Sequence, residues 1–286
     1  MSTESSPAGP SLIASDVVHV SQPVAGHLRV VIDNPPTNLF DPTVFAGLHL
    51  LREYVEARGD EVRVVVFESG NPDFFIAHLD FATINQVPEI PGAHNIIAHW
   101  PAFSTWLTGA PVVSIAKVRG RARGIGNEFI AACDMRFASL ERALLCQIEV
   151  GFGVVPGGGG LEWLPRHVGR SRALEIVLGA DDVDARTAEL YGLVNRALPD
   201  AELDGHVDTL ARRIASFHPA ALRTVKQLVD RRQPVPTEAE LRESFTAILQ
   251  LTSTDAVQER QRRLRARAGG SLASAELDLP SLYGPE

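Results

Sequence analysis

Two acidic side chains set among glycines mark where this chain can do chemistry. Glu128 closes the stretch Arg119-Gly120-Arg121-Ala122-Arg123-Gly124-Ile125-Gly126-Asn127-Glu128, and Glu149 stands shortly before Pro156-Gly157-Gly158-Gly159-Gly160. The first stretch lies between a compact apolar run, Pro111 to Val118, and an apolar helical pattern, Phe129 to Cys133. That order reads as strand, glycine-rich turn, helix. Such a turn can aim main-chain N–H groups at a developing negative charge, reinforced by the positive end of the helix dipole. Amide donors beside two carboxylates point to carbonyl chemistry with proton transfer.

Other chemistries fit less well. Gly124-Ile125-Gly126 has Phe129 where a dinucleotide fingerprint needs its third glycine, and the Lys and Ser/Thr of a phosphate-binding loop are missing. The 286 residues carry a net charge of -8, against the basic face that nucleic acid rewards. Cys133 and Cys146 are too few and too far apart for a disulfide framework or a zinc site, so no metal is expected. Met1 to Pro10 lacks the basic and apolar regions of a secretory signal, and no apolar run reaches membrane-spanning length. A cytoplasmic protein with no nucleic-acid or membrane partner is the expectation.

The elements that position these residues follow from hydrophobic periodicity. Val17–Val20 and Leu28–Ile32 read as a hairpin or two adjacent strands, and Pro42–Arg58 as a helix with Val44, Phe45, Leu48, Leu51 and Val55 near one face. Val62–Phe67 is a buried strand, and Phe74–Ala77 runs on into His78-Leu79-Asp80. Gln86–Gly92 reads as a loop and Ile96–Leu107 as a helix bent near Pro101. A strand at 111–118, a helix from Asn127, strands at 135–138 and 144–147, and helices at 159–167, 171–179 and 185–192 complete an α/β core, 15–200. From about 200 the apolar residues recur at helical spacing with no strand between. That predicts a helical segment over 201–268, after a flexible N-terminus (1–14) and before an irregular tail (269–286).

The chain resembles the crotonase superfamily, or enoyl-CoA hydratase/isomerase family, over roughly residues 15 to 265. The specific markers are Ala110–Gly120, Gly124-Ile125-Gly126-Asn127-Glu128, Ala132–Ser139, Gln147–Gly160, Leu164–Gly169 and Tyr191–Arg196. The resemblance implies a ClpP-like fold, a repeated ββα spiral with a C-terminal helical oligomerisation segment, in trimers or hexamers. It implies an acyl-CoA thioester as substrate, with no metal or redox cofactor. The thioester oxygen would meet the N–H groups of Leu79 and Ile125. Glu128 and Glu149 would bracket a water, one as base toward Cβ and the other supplying a proton at Cα. By motif position, Ala77, His78, Asp80, Gly124, Gly126, Pro156 and Gly157 would line the substrate. Two carboxylates favour hydration of a 2-enoyl-CoA over isomerisation, for which one suffices. A specialised enzyme, such as a retro-Claisen C–C bond hydrolase, and a non-catalytic scaffold are the rival readings.

The family usually carries glycine at the positions of His78 and Ile125. A β-branched Ile125 resists positive φ, which would alter the donor turn if the turn requires that geometry there. His78 can cap a loop or join the site. Arg119, Arg121 and Arg123 can line an anion site or pair with acids at a subunit contact, and the arginines of 260–267 can form a solvated helix face or meet CoA phosphates. Glu128 can be a first-turn carboxylate favoured by the helix dipole, and Glu149 a member of an ordinary ion pair.

Overall fold

Val18–Val24 (β1) and His27–Ile32 (β2) alternate buried and more exposed side chains, the period of strands covered on one face. They pair antiparallel through a turn at Gly26, whose φ is 85°. The computed structural model describes residues 11–80, 83, 96–270 and 275–284. The first ten residues, the Gln86–Gly92 loop, His94 and residues 271–274 and 285–286 of the tail lie outside them. Pro42–Arg58 (α1) starts where Asp41 accepts hydrogen bonds from the amides of Thr43 and Val44, at 2.9 and 2.8 Å. It stops at Gly59, where φ is 50°.

The next passes of the chain repeat one unit. Val64–Ser69 (β3) joins β2 in a larger sheet, and Phe74–Ile76 (β4) opens a smaller one. After Ile96–Gly109 (α2), Val113–Val118 (β5) pairs parallel to β3 and Arg121–Arg123 (β6) pairs parallel to β4. After Ile125–Ala132 (α3), Met135–Ser139 (β7) pairs parallel to β5 and Leu144–Cys146 (β8) parallel to β6. Each pass thus places one strand in each sheet, the repeated ββα spiral that the resemblance implies. The near-continuous apolar composition of β3 suits a parallel strand covered on both faces.

Gly160–Gly179 (α4) is bent at Gly169, φ 79° and ψ 162°, which accounts for the two separate helices read from the sequence. Val183–Asp184 (β9) closes the smaller sheet, in the order β4-β6-β8-β9. After Ala185–Tyr191 (α5), Arg196–Leu198 (β10) closes the larger one, in the order β1-β2-β3-β5-β7-β10.

Four helices follow: Asp200–Ala215 (α6), Pro219–Arg232 (α7), Glu238–Thr252 (α8) and Asp255–Arg267 (α9). They do not behave alike. Leu203, Val207, Ala211 and Ile214 of α6 join Val64, Val66, Ile115 and Phe137 of the larger sheet in one buried cluster. Residue 200 is therefore no break in the core, although the helical spacing beyond it suggested one. α7 buries none of its residues, and Val225 and Val229 are exposed. Within the stretch expected to be irregular, Glu276–Tyr283 forms a short 3-10 helix. Its Leu279 is buried with Ile148, Phe152 and Val154, beside the acidic segment. A segment this short has no periodicity to announce it. No helix among the described residues is long and apolar enough to cross a membrane.

Candidate active site

Three parallel strands deliver the site. β4, β6 and β8 are neighbours in the smaller sheet, with Phe74 opposite Arg121 and Arg123 opposite Cys146. Their C-terminal ends lead directly into His78-Leu79, Gly124-Ile125 and Ile148-Glu149. Segments distant in sequence are thereby set side by side at one edge of the sheet. One narrow cavity of about 40 Å³ receives His78, Leu79, Ile125, Glu128 and Glu149.

The two amides arrive by different routes. Phe40 and Leu79 form a parallel bridge in which the Phe40 amide donates to the His78 carbonyl and the Asp80 amide donates to the Phe40 carbonyl. The Leu79 N–H takes no part in either bond. Ile125 is the first residue of α3, where N–H groups have no partner within the helix. The positive φ of this turn, 52°, falls on Gly124 and not on Ile125, so the β-branched side chain does not strain the turn. Glycine is required at Gly124 for space as well, since a Cβ there would lie 2.7 Å from Glu149 Oε1.

Glu128 and Glu149 are both buried. Glu128 Oε1 accepts from the amides of Gly158 and Gly160, each at 2.9 Å. The helix whose N-terminus it caps is α4, a contact between distant segments. A side chain on Gly158 would collide with the other oxygen, Oε2. Glu149 Oε2 accepts from Gln147 Nε2 at 3.1 Å, and Gln147 Oε1 accepts from Asn127 Nδ2 at 2.7 Å. Burial pushes the Glu128 carboxyl up to about 7, against the lowering effect of its two amide bonds. Burial raises Glu149 well above the ordinary range as well, and the nearby charge of Glu128 adds to the rise. Like charges in one buried cavity resist ionising together.

Of the remaining expected lining residues, His78, Gly124 and Gly157 face the cavity. Ala77, Asp80, Gly126 and Pro156 do not line it, and stand behind it instead. Ala77 and Asp80 are hydrogen-bonded through their amides to the Asn38 and Phe40 carbonyls. Gly126 packs against the Ile76 carbonyl, where a Cβ would come within 2.5 Å, and Pro156 lies against Gly160. Parts of the wall escaped the sequence reading. Trp100 holds the Gly158 carbonyl through its indole N–H at 2.7 Å, and Phe245 and Ile248 of α8 close one side. The apolar stripe of α8 was visible in the sequence, but its destination was not.

Arg119 and Arg123 are paired with acids within the chain. Arg119 bonds Asp200 and Asp204, each at 2.8 Å. Arg123 is fully buried and bonds both oxygens of Asp182, at 2.8 and 2.5 Å. Arg121 lies over the Phe74 ring at 5.8 Å. Burial pushes both cysteine thiols up, which suits inert core residues. Among the described residues no cluster of three or more His, Cys, Asp or Glu could hold a metal ion.

The chain is similar to known proteins over most of its length. The family model for enoyl-CoA hydratase/isomerase matches residues 25–265. A short-chain-enoyl-CoA hydratase from Clostridium acetobutylicum is 33% identical over 172 residues, 60% of this chain; the match spans 65% of that relative's own length. A crystal structure described as an enoyl-CoA hydratase from Streptomyces avermitilis superposes with a TM-score of 0.87 at 40% identity, covering 96% of this chain and 99% of that one. Another, from Thermobifida fusca and solved in complex with CoA, superposes at 0.68 with 28% identity, covering 82% and 93%. With its ββα spiral and this match over most of its length, the chain belongs to the enoyl-CoA hydratase/isomerase family, the crotonase superfamily.

Proposed function

We propose that the protein adds water across the 2,3 double bond of an enoyl-CoA. The observation that carries this reading is the convergence on one cavity of Glu128 and Glu149 with Leu79 and Ile125, which come from two segments distant in sequence. The Leu79 and Ile125 N–H groups would hold the thioester oxygen and stabilise the enolate; one such donor is worth about a hundred- to a thousandfold in rate. Glu128, at about 7, is ionised in part near neutrality and suits the base that takes a proton from water as its oxygen bonds to Cβ. Glu149, held protonated by burial and by the charge of Glu128, suits the acid that delivers a proton to Cα. One proton leaves water and one reaches carbon, so the pair is restored by exchange with solvent. The CoA held by the Thermobifida fusca relative supports CoA as the carrier.

The test is loss of enoyl-thioester absorbance with crotonyl-CoA and longer 2-enoyl-CoAs, in the native protein and in Glu128→Gln and Glu149→Gln. Turnover in the native protein and loss of it in both variants is expected. No turnover of any enoyl-CoA, or full activity in both variants, would sink the reading.

A further inference from the structure

Resting on the oxyanion reading above, we infer that His78, Glu276 and Arg123 form a bracket that fixes the spacing of the two amide donors, with His78 and Glu276 as positioning residues. His78 Nδ1 lies 2.7 Å from the Leu79 carbonyl, which can only accept, so Nδ1 carries a proton. His78 Nε2 lies 3.0 Å from Glu276 Oε1. The Glu276 carbonyl in turn accepts from Arg123 Nη1 at 2.5 Å. Arg123 precedes Gly124 and Ile125 directly. A continuous path therefore runs from Ile125 through Gly124 and Arg123 to Glu276, then through His78 to Leu79.

Burial makes this path stiff. His78, Glu276 and Arg123 are 6%, 5% and 0% exposed, so water offers little competition for their bonds. Asp182 holds the far side of the Arg123 fork. A core built for stability alone is served as well or better by apolar residues. Here the polar chain ends at the residues that face the cavity, His78 and Leu79.

The bracket depends on protonation. Glu276 faces the ring directly, Arg123 stands behind Glu276, Glu128 and Glu149 share the cavity, and the Tyr283 hydroxyl belongs to the same C-terminal segment. Burial opposes a charged imidazole, but the hydrogen bond and charge of Glu276 outweigh it and raise the His78 pKa. As pH rises through that value, Nε2 loses its proton and a lone pair meets a carboxylate. The Leu79 carbonyl keeps its partner while the link to Glu276 opens.

The experiment uses the full chain and Glu276→Gln. The His78 ring is titrated by NMR, hydrogen exchange is followed at the Leu79 and Ile125 amides, and crotonyl-CoA kinetics are measured. In the native protein the ring should titrate above the ordinary value of about 6.5, and in the variant at least about one unit lower. Exchange at the two amides should quicken about tenfold, with β3 and β5 unchanged. The turnover number should fall about ten- to a hundredfold with KM held within about twofold, because a small misplacement of donors costs rate more than binding. Glu276→Asp should recover part of it. A ring that titrates alike in both proteins, or unaltered exchange at both amides, overturns the bracket. Neither of those readouts needs turnover, so a native protein inactive on enoyl-CoAs would defeat the hydratase reading alone. If Glu276→Gln does not fold, His78→Ala supplies the exchange measurement, with the same quickening expected and unaltered exchange overturning the inference.

Discussion

Glu128 accepts from two main-chain amides at the start of α4, whereas Glu149, besides its own main-chain amide, accepts from the side chain of Gln147, itself steadied by Asn127. Both carboxyls are buried, and both are pushed toward the neutral form. The main-chain grip is independent of neighbouring side chains and can be disturbed only by moving the glycine turn. The side-chain relay can be altered one residue at a time. Glu128 therefore has a fixed orientation with one oxygen committed, while Glu149 has an orientation that the sequence around it can tune. In the proposed reaction the fixed group is the base and the tuned group is the acid.

The largest effect that can break this contrast is removal of the acids themselves. Glu128→Gln keeps an Oε1 able to accept from Gly158 and Gly160, so geometry survives while the base is lost. Hydration should fall about a hundred- to ten-thousandfold, and Glu149→Gln should fall in the same range. A substantially smaller loss in Glu149→Gln would remove it from proton transfer and leave one working acid.

Gly158→Ala tests the main-chain grip. Its Cβ would collide with Glu128 Oε2 and come 2.8 Å from Ile125 Cδ1 and 2.9 Å from Trp100 Nε1. Rate should drop about a hundredfold through misplacement, with the protein still folded by circular dichroism. Native activity in this variant would show that the exact seat of Glu128 is immaterial.

Gln147→Leu tests the relay with a smaller expected loss. It strips Glu149 of the donor that lowers its pKa and leaves the Asn127 amide without its acceptor. The turnover number should fall about tenfold, the cost of an unmade buried hydrogen bond being about 1–3 kcal/mol. The basic limb of the pH profile should move upward, because Glu149 holds its proton more tightly. An unmoved profile would mean that Gln147 only fills space.

The same contrast explains what could be read from sequence. Glu128, Glu149 and the glycines between them are local features, and spacing alone exposes them. The apolar runs expose the strands for the same reason. That Leu79 and Ile125 meet depends on β4 lying beside β6, a long-range pairing that the chain reveals only through its resemblance to relatives. Glu276 reaches His78 across 198 residues, and no periodicity in Glu276–Tyr283 hints at that docking. The arginines announced a need for partners, but Asp182, Asp200 and Asp204 stand in other elements. The positive φ that would have strained Ile125 falls one residue earlier, on Gly124, because helix α3 begins at Ile125.

The smallest expected effect concerns stability, and its sign separates a working carboxyl from a structural one. Both acids have folded-state pKa values raised above those of the unfolded chain. Their contribution to stability is therefore complete below the unfolded carboxylate range, near pH 4.3, and is lost as pH rises through about 7 and beyond. Glu149→Gln abolishes that loss. Thermal unfolding should show the variant and the native protein closest at about pH 4, below the unfolded carboxylate range, and the variant increasingly ahead in Tm as pH rises toward about 8. An ordinary ion-paired glutamate would give the opposite result, with the variant less stable at pH 8 than the native protein. A gain in stability from the substitution that removes activity is the expected mark of a carboxyl kept buried for chemistry.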